Sequence, residues 1–480
     1  MTVRPPLSVF LLAALASGAA IAAEPTVEER QAAIERALPP AQILKGAPAS
    51  FPSLAAEMQR LKVPGVSVAV IRNGDIAWAK GYGVVTAGGA PVTPSTLFQA
   101  ASISKPVSAM GAMALVQAGK LDLDADANTY LQGWKLRGEK ASDKATLRQL
   151  LSHTAGLGVH GFPGYAAGAP VPAVVQVLDG AKPANTKAVR IEKEPGSEWR
   201  YSGGGYTVIQ HIMAQRSGKG FAELMADSVL GPAGMADSSF TQPATPPMLA
   251  RAALPHGADG KPVKGGPHTY PELAAAGLWT TPSDLARFAI EVQRAAAGKG
   301  KVLKMDAAQR MLTPVKNGYA LGFDIEGEGV ARAFGHGGSN AGYQNSLFAY
   351  SGNGDGAVVM TNSDAGGGLA RDVIRAIAAE YKWPSYRSVE RSFVEVDAKA
   401  IKALTGTYNV KQLGDFKIGS EGGKLTLWLR PGQGQTLYAQ SPTVYFVLDQ
   451  ELELRFDQAG NYKSGRVVSG AFDVKFNRVP

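Results

Sequence analysis

The sequence predicts a mixed α/β fold of two lobes followed by a small all-β domain, and three observations carry that prediction. Strand-like alternation sits in two early segments and a later group, so one antiparallel sheet is built from both ends of the main unit. Helical periodicity and Pro/Gly-rich loops fill the stretch between them, which makes a helical lobe inserted into the sheet. Beyond residue 400 the pattern changes to short alternating strands separated by turns, as in a small barrel or sandwich.

Taken in order, residues 1–23 begin with Arg4 and an apolar run over 7–16, and Ala20-Ile21-Ala22 supplies the small residues of a cleavage site. This segment is expected to be a signal peptide cut after Ala22 or Ala23, leaving a periplasmic or secreted product. The run is short for the roughly 20 residues of a membrane span, and no stable transmembrane anchor is expected. Residues 25–60 read as helical and polar, led by Glu28, Glu29 and Arg30. Residues 66–71 read as a strand, Asn73-Gly74 as a two-residue hairpin turn, and 76–84 as the partner strand. Ile103, Val107, Met110, Ala114 and Leu115 repeat at helical spacing over 103–118, and Gly119 ends the helix. Shorter helices are expected at 146–151 and 206–216, with a loop at 157–172. Pro282-Ser283-Asp284 opens an amphipathic helix to 297. Strands at 319–325, 330–334, 343–350 and 357–361 follow, and a helix at 369–381 closes the unit. The organisation expected is therefore a main domain over 24–382, a mixed-charge linker over 383–399 and a β domain over 400–480, whose runs at 424–429, 445–448 and 452–456 alternate.

Composition excludes several function classes. Of 480 residues, 45% are hydrophobic and 19% charged, which rules out wholesale disorder. There is no cysteine, so disulfides, thiolate zinc sites, iron–sulfur clusters and a thiol nucleophile are all excluded. The net charge of +9 is spread over scattered lysines and arginines without interleaved aromatic runs, and no nucleic-acid partner is expected.

Three short boxes carry chemistry. Ser102-Ile103-Ser104-Lys105 stands just before the apolar helix, and residues three apart on a helix share a face. A neutral lysine there takes the serine proton, and the helix dipole favours negative charge at the serine. An N-capping serine beside a solvent lysine has the same four letters. Tyr201-Ser202 sits in a Gly-rich stretch; a tyrosine near a lysine cation serves as a base, although a packed tyrosine in a turn looks the same. His336-Gly337-Gly338-Ser339 follows the strand expected to end at Phe334. Its glycines would let a substrate lie along the strand edge and a backbone N–H form half of an oxyanion hole, or it is an ordinary turn. Asn353-Gly354-Asp355-Gly356 lacks the downstream glutamate of a calcium loop and reads as a hairpin turn. Ser339 is not in a G-x-S-x-G elbow, because Ala341 occupies the last position. No metal cluster, P-loop or dinucleotide fingerprint is present, so no metal or cofactor is expected.

Together the boxes resemble the serine β-lactamase and penicillin-binding protein superfamily, in the form found in class C β-lactamases, family VIII esterases and D-aminopeptidases. Those carry S-x-x-K, Y-x-N and a K-T-G or H-x-G box in this order. The stretches 150–157 and 275–285 are similar too, and the likeness spans about residues 50–382. It implies a β-lactamase/transpeptidase-like fold, an antiparallel sheet flanked by helices plus a helical lobe. It also implies a serine hydrolase working through an acyl-enzyme. Ser102 would be the nucleophile, Lys105 its hydrogen-bonded partner, and Tyr201 the general base and then the acid to the leaving group. His336 would stand where the K-T-G lysine stands, beside Gly337, Gly338 and Ser339, with the N–H groups of Ser102 and Ser339 as the oxyanion hole. His153 is taken as structural, since the family mechanism needs no histidine there.

Two departures bear on substrate. Gly203 replaces the Y-x-N asparagine that helps hold a β-lactam side-chain amide, and His336, when neutral, holds a carboxylate less well than lysine. Both favour a small-molecule ester, a peptide-like amide or a cell-wall-derived substrate over a β-lactam. A D-amino-acid peptidase, a DD-carboxypeptidase or a weak β-lactamase are the alternatives within this class. A non-catalytic cell-wall or β-lactam sensor is the alternative outside it. Leu404-Thr405-Gly406-Thr407-Tyr408 resembles the start of the small lipocalin-like β domain appended to such hydrolases.

Overall fold

The computed structural model describes residues 24–46, 50–138, 140, 144–411, 414–429, 434–469 and 472–480; the expected signal at 1–23 lies outside them. The alternating run at 66–71 forms strand β1 (Gly65–Arg72), and a turn returns it as β2 (Asp75–Gly83). Asn73 and Gly74 sit at φ of 53° and 78°, the positive values that this hairpin turn requires. Late in the chain come β3 (Asp324–Glu326), β4 (Ala333–Asn340), β5 (Tyr343–Tyr350) and β6 (Gly356–Thr361). They complete a six-stranded antiparallel sheet in the order β2-β1-β6-β5-β4-β3. The sheet is thus closed from both ends of the unit, with Val68 of β1 opposite Val359 of β6.

Five helices position the site: α1 (Ser104–Gln117), α2 (Gly203–Ser217), α3 (Leu273–Ala276), α4 (Pro282–Ala296) and α5 (Gly366–Glu380). Strand periodicity sorts the sheet's two faces. Val66, Val68, Val70 and Val359 pack with Leu369, Val373 and Ile377 of α5. Ala69, Ile71, Val358 and Met360 instead join α4 and the helical lobe. Each fully buried aliphatic side chain contributes about 1.5–3 kcal/mol, so these two faces are the main source of rigidity under the site. Helix α1 is buried on nearly every side, and the short strands Phe98–Gln99 and Trp279–Thr280 pair just before it and just after α3.

The late strands differ from the sequence expectation. The run at 319–325 is mostly a turn, because Gly318 and Gly322 take φ of 74° and 95°, and only Asp324–Glu326 pairs as a strand. The strand expected at 330–334 begins instead at Ala333, after a 3-10 turn at Gly329–Ala331, and continues to Asn340. His336-Gly337-Gly338-Ser339 is therefore strand, not a turn after one. Gly338 is required there by close approach: a Cβ would stand 2.2 Å from the Ala100 carbonyl oxygen. The helix expected at 206–216 starts at Gly203, where the Ser202 hydroxyl accepts the Gly205 N–H at 3.1 Å and caps it.

The 383–399 stretch carries strand Val389–Arg391, paired in parallel with Gln42–Leu44. Gln42 donates to the Val447 and Gln450 carbonyls, each at 2.9 Å, and Arg391 pairs with Glu453, so this layer bridges to the β domain. The β domain is a nine-stranded antiparallel sheet whose first strand pairs with its last, a near-barrel around Tyr408, Phe416, Leu454, Phe456 and Phe476. Among the described residues no helix is long and apolar enough to cross a membrane.

Candidate active site

Ser102 lies in the 3-10 turn Ala101–Ile103 that leads into α1. Ala101 holds φ at 53°, left-handed backbone that costs an L residue about 1–3 kcal/mol. Ser102 is partly exposed there, whereas Ile103, Ser104 and Lys105 are buried. The Ser104 hydroxyl accepts the Leu278 N–H at 3.0 Å and pins the start of α1 to the segment after α3.

Lys105, one turn on, brings Nζ to 3.0 Å from Ser102 Oγ and 2.9 Å from the Ala275 carbonyl oxygen. Its partners are a hydroxyl and a carbonyl, with no carboxylate among the ion pairs of the described residues. Burial alone pulls the amine from 10.5 down to about 7. Near neutral pH part of the amine is therefore unprotonated, and its nitrogen stays within hydrogen-bond distance of the Ser102 hydroxyl and the Ala275 carbonyl.

Tyr201 immediately precedes the α2 cap. The Lys105 nitrogen lies 4.9 Å from its ring centroid and 5.8 Å from that of Tyr206. Burial raises the Tyr201 phenol well above its ordinary value, and its hydrogen bond with Ser102 pulls weakly the other way. The resting phenol is thus a proton carrier, and of the two candidate bases the amine titrates near neutrality.

Strand β4 forms the opposite wall. Strand β3 pairs with it only as far as Gly335, so among the described residues no strand covers its outer edge from His336 to Asn340. Gly337 and Ser339 are exposed along it. The strand is locked beside the Ser102 turn by three amide contacts. Asn340 donates to Gln99 Oε1 at 2.8 Å and to the Ala276 carbonyl at 3.1 Å, and Asn345 donates to the Gln99 carbonyl at 2.9 Å. The Ser339 hydroxyl accepts from Gln344 at 2.7 Å. Burial, and then the Lys105 charge, lowers His336 to about 3. Its Nδ1 lies 2.5 Å from the Gly337 carbonyl and so carries the proton, leaving Nε2 a buried acceptor without a partner among the described residues. Asp324, Glu326, His336, Gly337, Ser346 and Tyr386 border a small pocket at this end.

The structure thus brings Ser102, Lys105, Tyr201 and the 336–339 box together. Sequence reasoning missed the groups that hold them: the Ala275 carbonyl, Gln99, Asn340, Asn345 and the aromatic wall of Trp199, Tyr206 and Tyr319. Only the 275–285 stretch and the Gly-rich stretch around Tyr201, which contains Trp199 and Tyr206, carried a signal for any of these. The absent asparagine also has a physical account. A Cβ at Gly203 would lie 2.8 Å from Phe162 Cε2 and 3.2 Å from the His160 carbonyl, so an aromatic ring crowds that position. Among the described residues no group of three or more His, Asp or Glu side chains is placed to hold a metal.

Comparison with known proteins agrees with this geometry. The profile of the family described as Beta-lactamase matches residues 53–382. A protein named "Beta-lactamase" from Pseudomonas fluorescens is 31% identical over 252 residues, which is 52% of this chain and 65% of that protein. The chain spans less than two thirds of the length of the first curated relatives it matches. Among solved structures, an octameric penicillin-binding protein homologue from Pyrococcus abyssi aligns with TM-score 0.60 at 21% identity, over 88% of this chain and 98% of that one. The D-amino acid amidase from Ochrobactrum anthropi SV3, complexed with L-phenylalanine, aligns with TM-score 0.59 at 22% identity, over 74% of this chain and 99% of that one. At these identities the two likenesses speak for the fold alone.

Proposed function

Since the chain belongs to the β-lactamase family, whose members are serine hydrolases, we propose that it hydrolyses an ester or peptide-like amide through an acyl-enzyme on Ser102. The observation that carries this reading is the 3.0 Å contact between Ser102 Oγ and a Lys105 amine that burial brings to about 7. The neutral amine takes the hydroxyl proton as Oγ attacks the substrate carbonyl. Backbone N–H groups of Ser102 and Ser339 stabilise the tetrahedral oxyanion. Tyr201 gives its phenolic proton to the leaving group and regains one from the Lys105 ammonium. Water then attacks the ester of Ser102 by the reverse of these transfers, which returns the proton to Ser102.

Two features argue for substrates without a free carboxylate beside the scissile bond: His336 is neutral, and the carboxyl groups of Asp324 and Glu326 border the same end. Phe162 in addition crowds the place where an amide donor to a β-lactam side chain would stand. They weigh against β-lactam hydrolysis, the activity in the name of the Pseudomonas fluorescens relative. They also weigh against a DD-carboxypeptidase. Small amino-acid amides or peptides are the alternative to esters, since the same acyl-enzyme chemistry opens either bond. We further propose that residues 1–23 direct export and are removed, so that N-terminal sequencing of the secreted or periplasmic product reads Ala23 or Glu24.

Mass spectrometry after fluorophosphonate treatment tests the enzyme reading. An adduct on Ser102, absent from Ser102→Ala, is expected, with hydrolysis of p-nitrophenyl esters of short acids. Folded protein that forms no adduct would refute it in favour of a binding role. Nitrocefin turnover at about 10–1,000 per second, an ordinary enzymatic rate, would overturn the substrate assignment.

A further inference from the structure

His153 takes no part in the acyl transfer outlined above, yet it grips the segment that carries Tyr201 at three points. Its carbonyl accepts the Arg200 N–H at 2.8 Å, and its Nδ1 accepts the Ser202 N–H at 3.1 Å. Those residues flank Tyr201 on either side. Its ring lies over the tyrosine itself, with centroids 4.2 Å apart and planes inclined by 38°. The same imidazole contacts Tyr319 and Tyr206, at 4.9 and 5.4 Å between centroids. Backbone φ at His153 is 59°, a left-handed conformation uncommon outside glycine. Because Nδ1 accepts a backbone N–H, the neutral ring carries its proton on Nε2, which is buried without a partner among the described residues. Burial, followed by the charge of Lys105, keeps the ring neutral.

We propose that His153 is a positioning residue for Tyr201: it fixes the backbone on both sides of the tyrosine and the plane of its ring, and so holds the phenol oxygen at Ser102. The proposal rests on the reading that Tyr201 relays a proton. A misplacement of about 1 Å costs such a relay on the order of 100-fold in rate. A residue that only filled space would not need to anchor both neighbours of one side chain.

Two substitutions divide the grip. His153→Phe keeps a ring face and loses the Nδ1 acceptor. His153→Asn supplies a short acceptor, tolerates left-handed backbone and loses the ring. Each is made in the native and the Tyr201→Phe backgrounds, with p-nitrophenyl butyrate as substrate and thermal unfolding as the folding check. Expected is a loss of roughly 10- to 100-fold in kcat for His153→Phe with little change in KM, and partial recovery in His153→Asn. In the Tyr201→Phe background the same changes should cost no more than about 2-fold, since the group being positioned is gone. An equal cost in both backgrounds means a general structural role and overturns the proposal. So does a native rate in His153→Phe. NMR of protein with isotope-labelled tyrosine separates this from failure of the relay itself. If Tyr201→Phe proves nearly as fast as the native enzyme, the relay reading falls, while the positioning claim still requires Tyr201 ring signals to shift and broaden in His153→Asn. Unchanged signals would overturn it independently.

Discussion

Replacing Lys105 by methionine should make the protein inactive and, below neutral pH, more stable. The amine is buried beside Ser102, Tyr201 and Tyr206 without an ion pair among the described residues, and burial lowers it from 10.5 to about 7. At about 1.4 kcal/mol per pH unit, that drop corresponds to roughly 5 kcal/mol of charge desolvation paid on folding. Below pH 7 the amine is charged in both folded and unfolded chains, so the full cost is borne. Between 7 and 10.5 the unfolded chain binds the extra proton, so stability rises with pH, and above 10.5 the cost is gone. Methionine fills similar volume and removes the cost, but it forfeits two hydrogen bonds and leaves the Ala275 carbonyl unpaired, together about 2–3 kcal/mol. Lys105→Met should therefore gain roughly 2 kcal/mol over the native chain at pH 6. That advantage should shrink by roughly 3 kcal/mol by pH 9 and change sign. Urea unfolding of both proteins at the two pH values measures this, because all other titrations are common to them and cancel. The kinetic counterpart is a native kcat/KM that rises about tenfold per pH unit below 7 and levels above it. A stability difference that stays within about 0.5 kcal/mol across this range would show that the amine is not depressed, and the acylation scheme built on it would fall.

Three further outcomes follow from the same geometry. Tyr201→Phe should lose at least about 100-fold in kcat on p-nitrophenyl esters, the low end for general acid–base catalysis, and a near-native rate would move the relay to water. Gly203→Asn should lower stability by about 1–3 kcal/mol in thermal or urea unfolding, because its Cβ meets the Phe162 ring at 2.8 Å. In the Phe162→Ala background the same change should cost much less, and an unchanged melting temperature in the single variant would show that the ring yields. His336→Lys places a second cation near Lys105, so the acid limb of the pH–rate profile should move to lower pH and KM for carboxylate-bearing esters should fall. An unshifted profile would mean that the two side chains do not feel each other.

The parts of this site that were legible in the sequence are those that local geometry dictates. Ser102 and Lys105 meet because three residues on one helical turn must share a face. The Asn73-Gly74 hairpin was readable because few other residue pairs accept two positive φ values. Strand β4 was not readable, since Gly335, Gly337 and Gly338 erase the alternation that marks a strand and favour a turn on local grounds. The tertiary constraint wins there: only glycine lets β4 pass the Ala100 carbonyl, and Gln99, which the Asn340 and Asn345 amides grip, comes from a distant segment. Tyr201 and His336 reached the site through family resemblance, because no spacing rule connects residues so far apart.

What the letters Ser-x-x-Lys leave open is decided by depth. An N-capping serine with its lysine in water and a nucleophile with its base have the same sequence, and in the first the amine would keep its charge up to about pH 10.4. Here Lys105 is 2% exposed because α1 is enclosed by α3, the helical lobe and the aromatic wall. That burial turns a cation into an amine with a usable lone pair at neutral pH. The same burial holds His336 neutral at the other wall and keeps the Tyr201 phenol protonated. One physical cause, exclusion of water by the packing around α1, thus sets the protonation of all three groups. A substitution that opens that packing without touching any of them, such as Met110→Ala in α1, would be felt first as a pH–rate profile displaced toward higher pH.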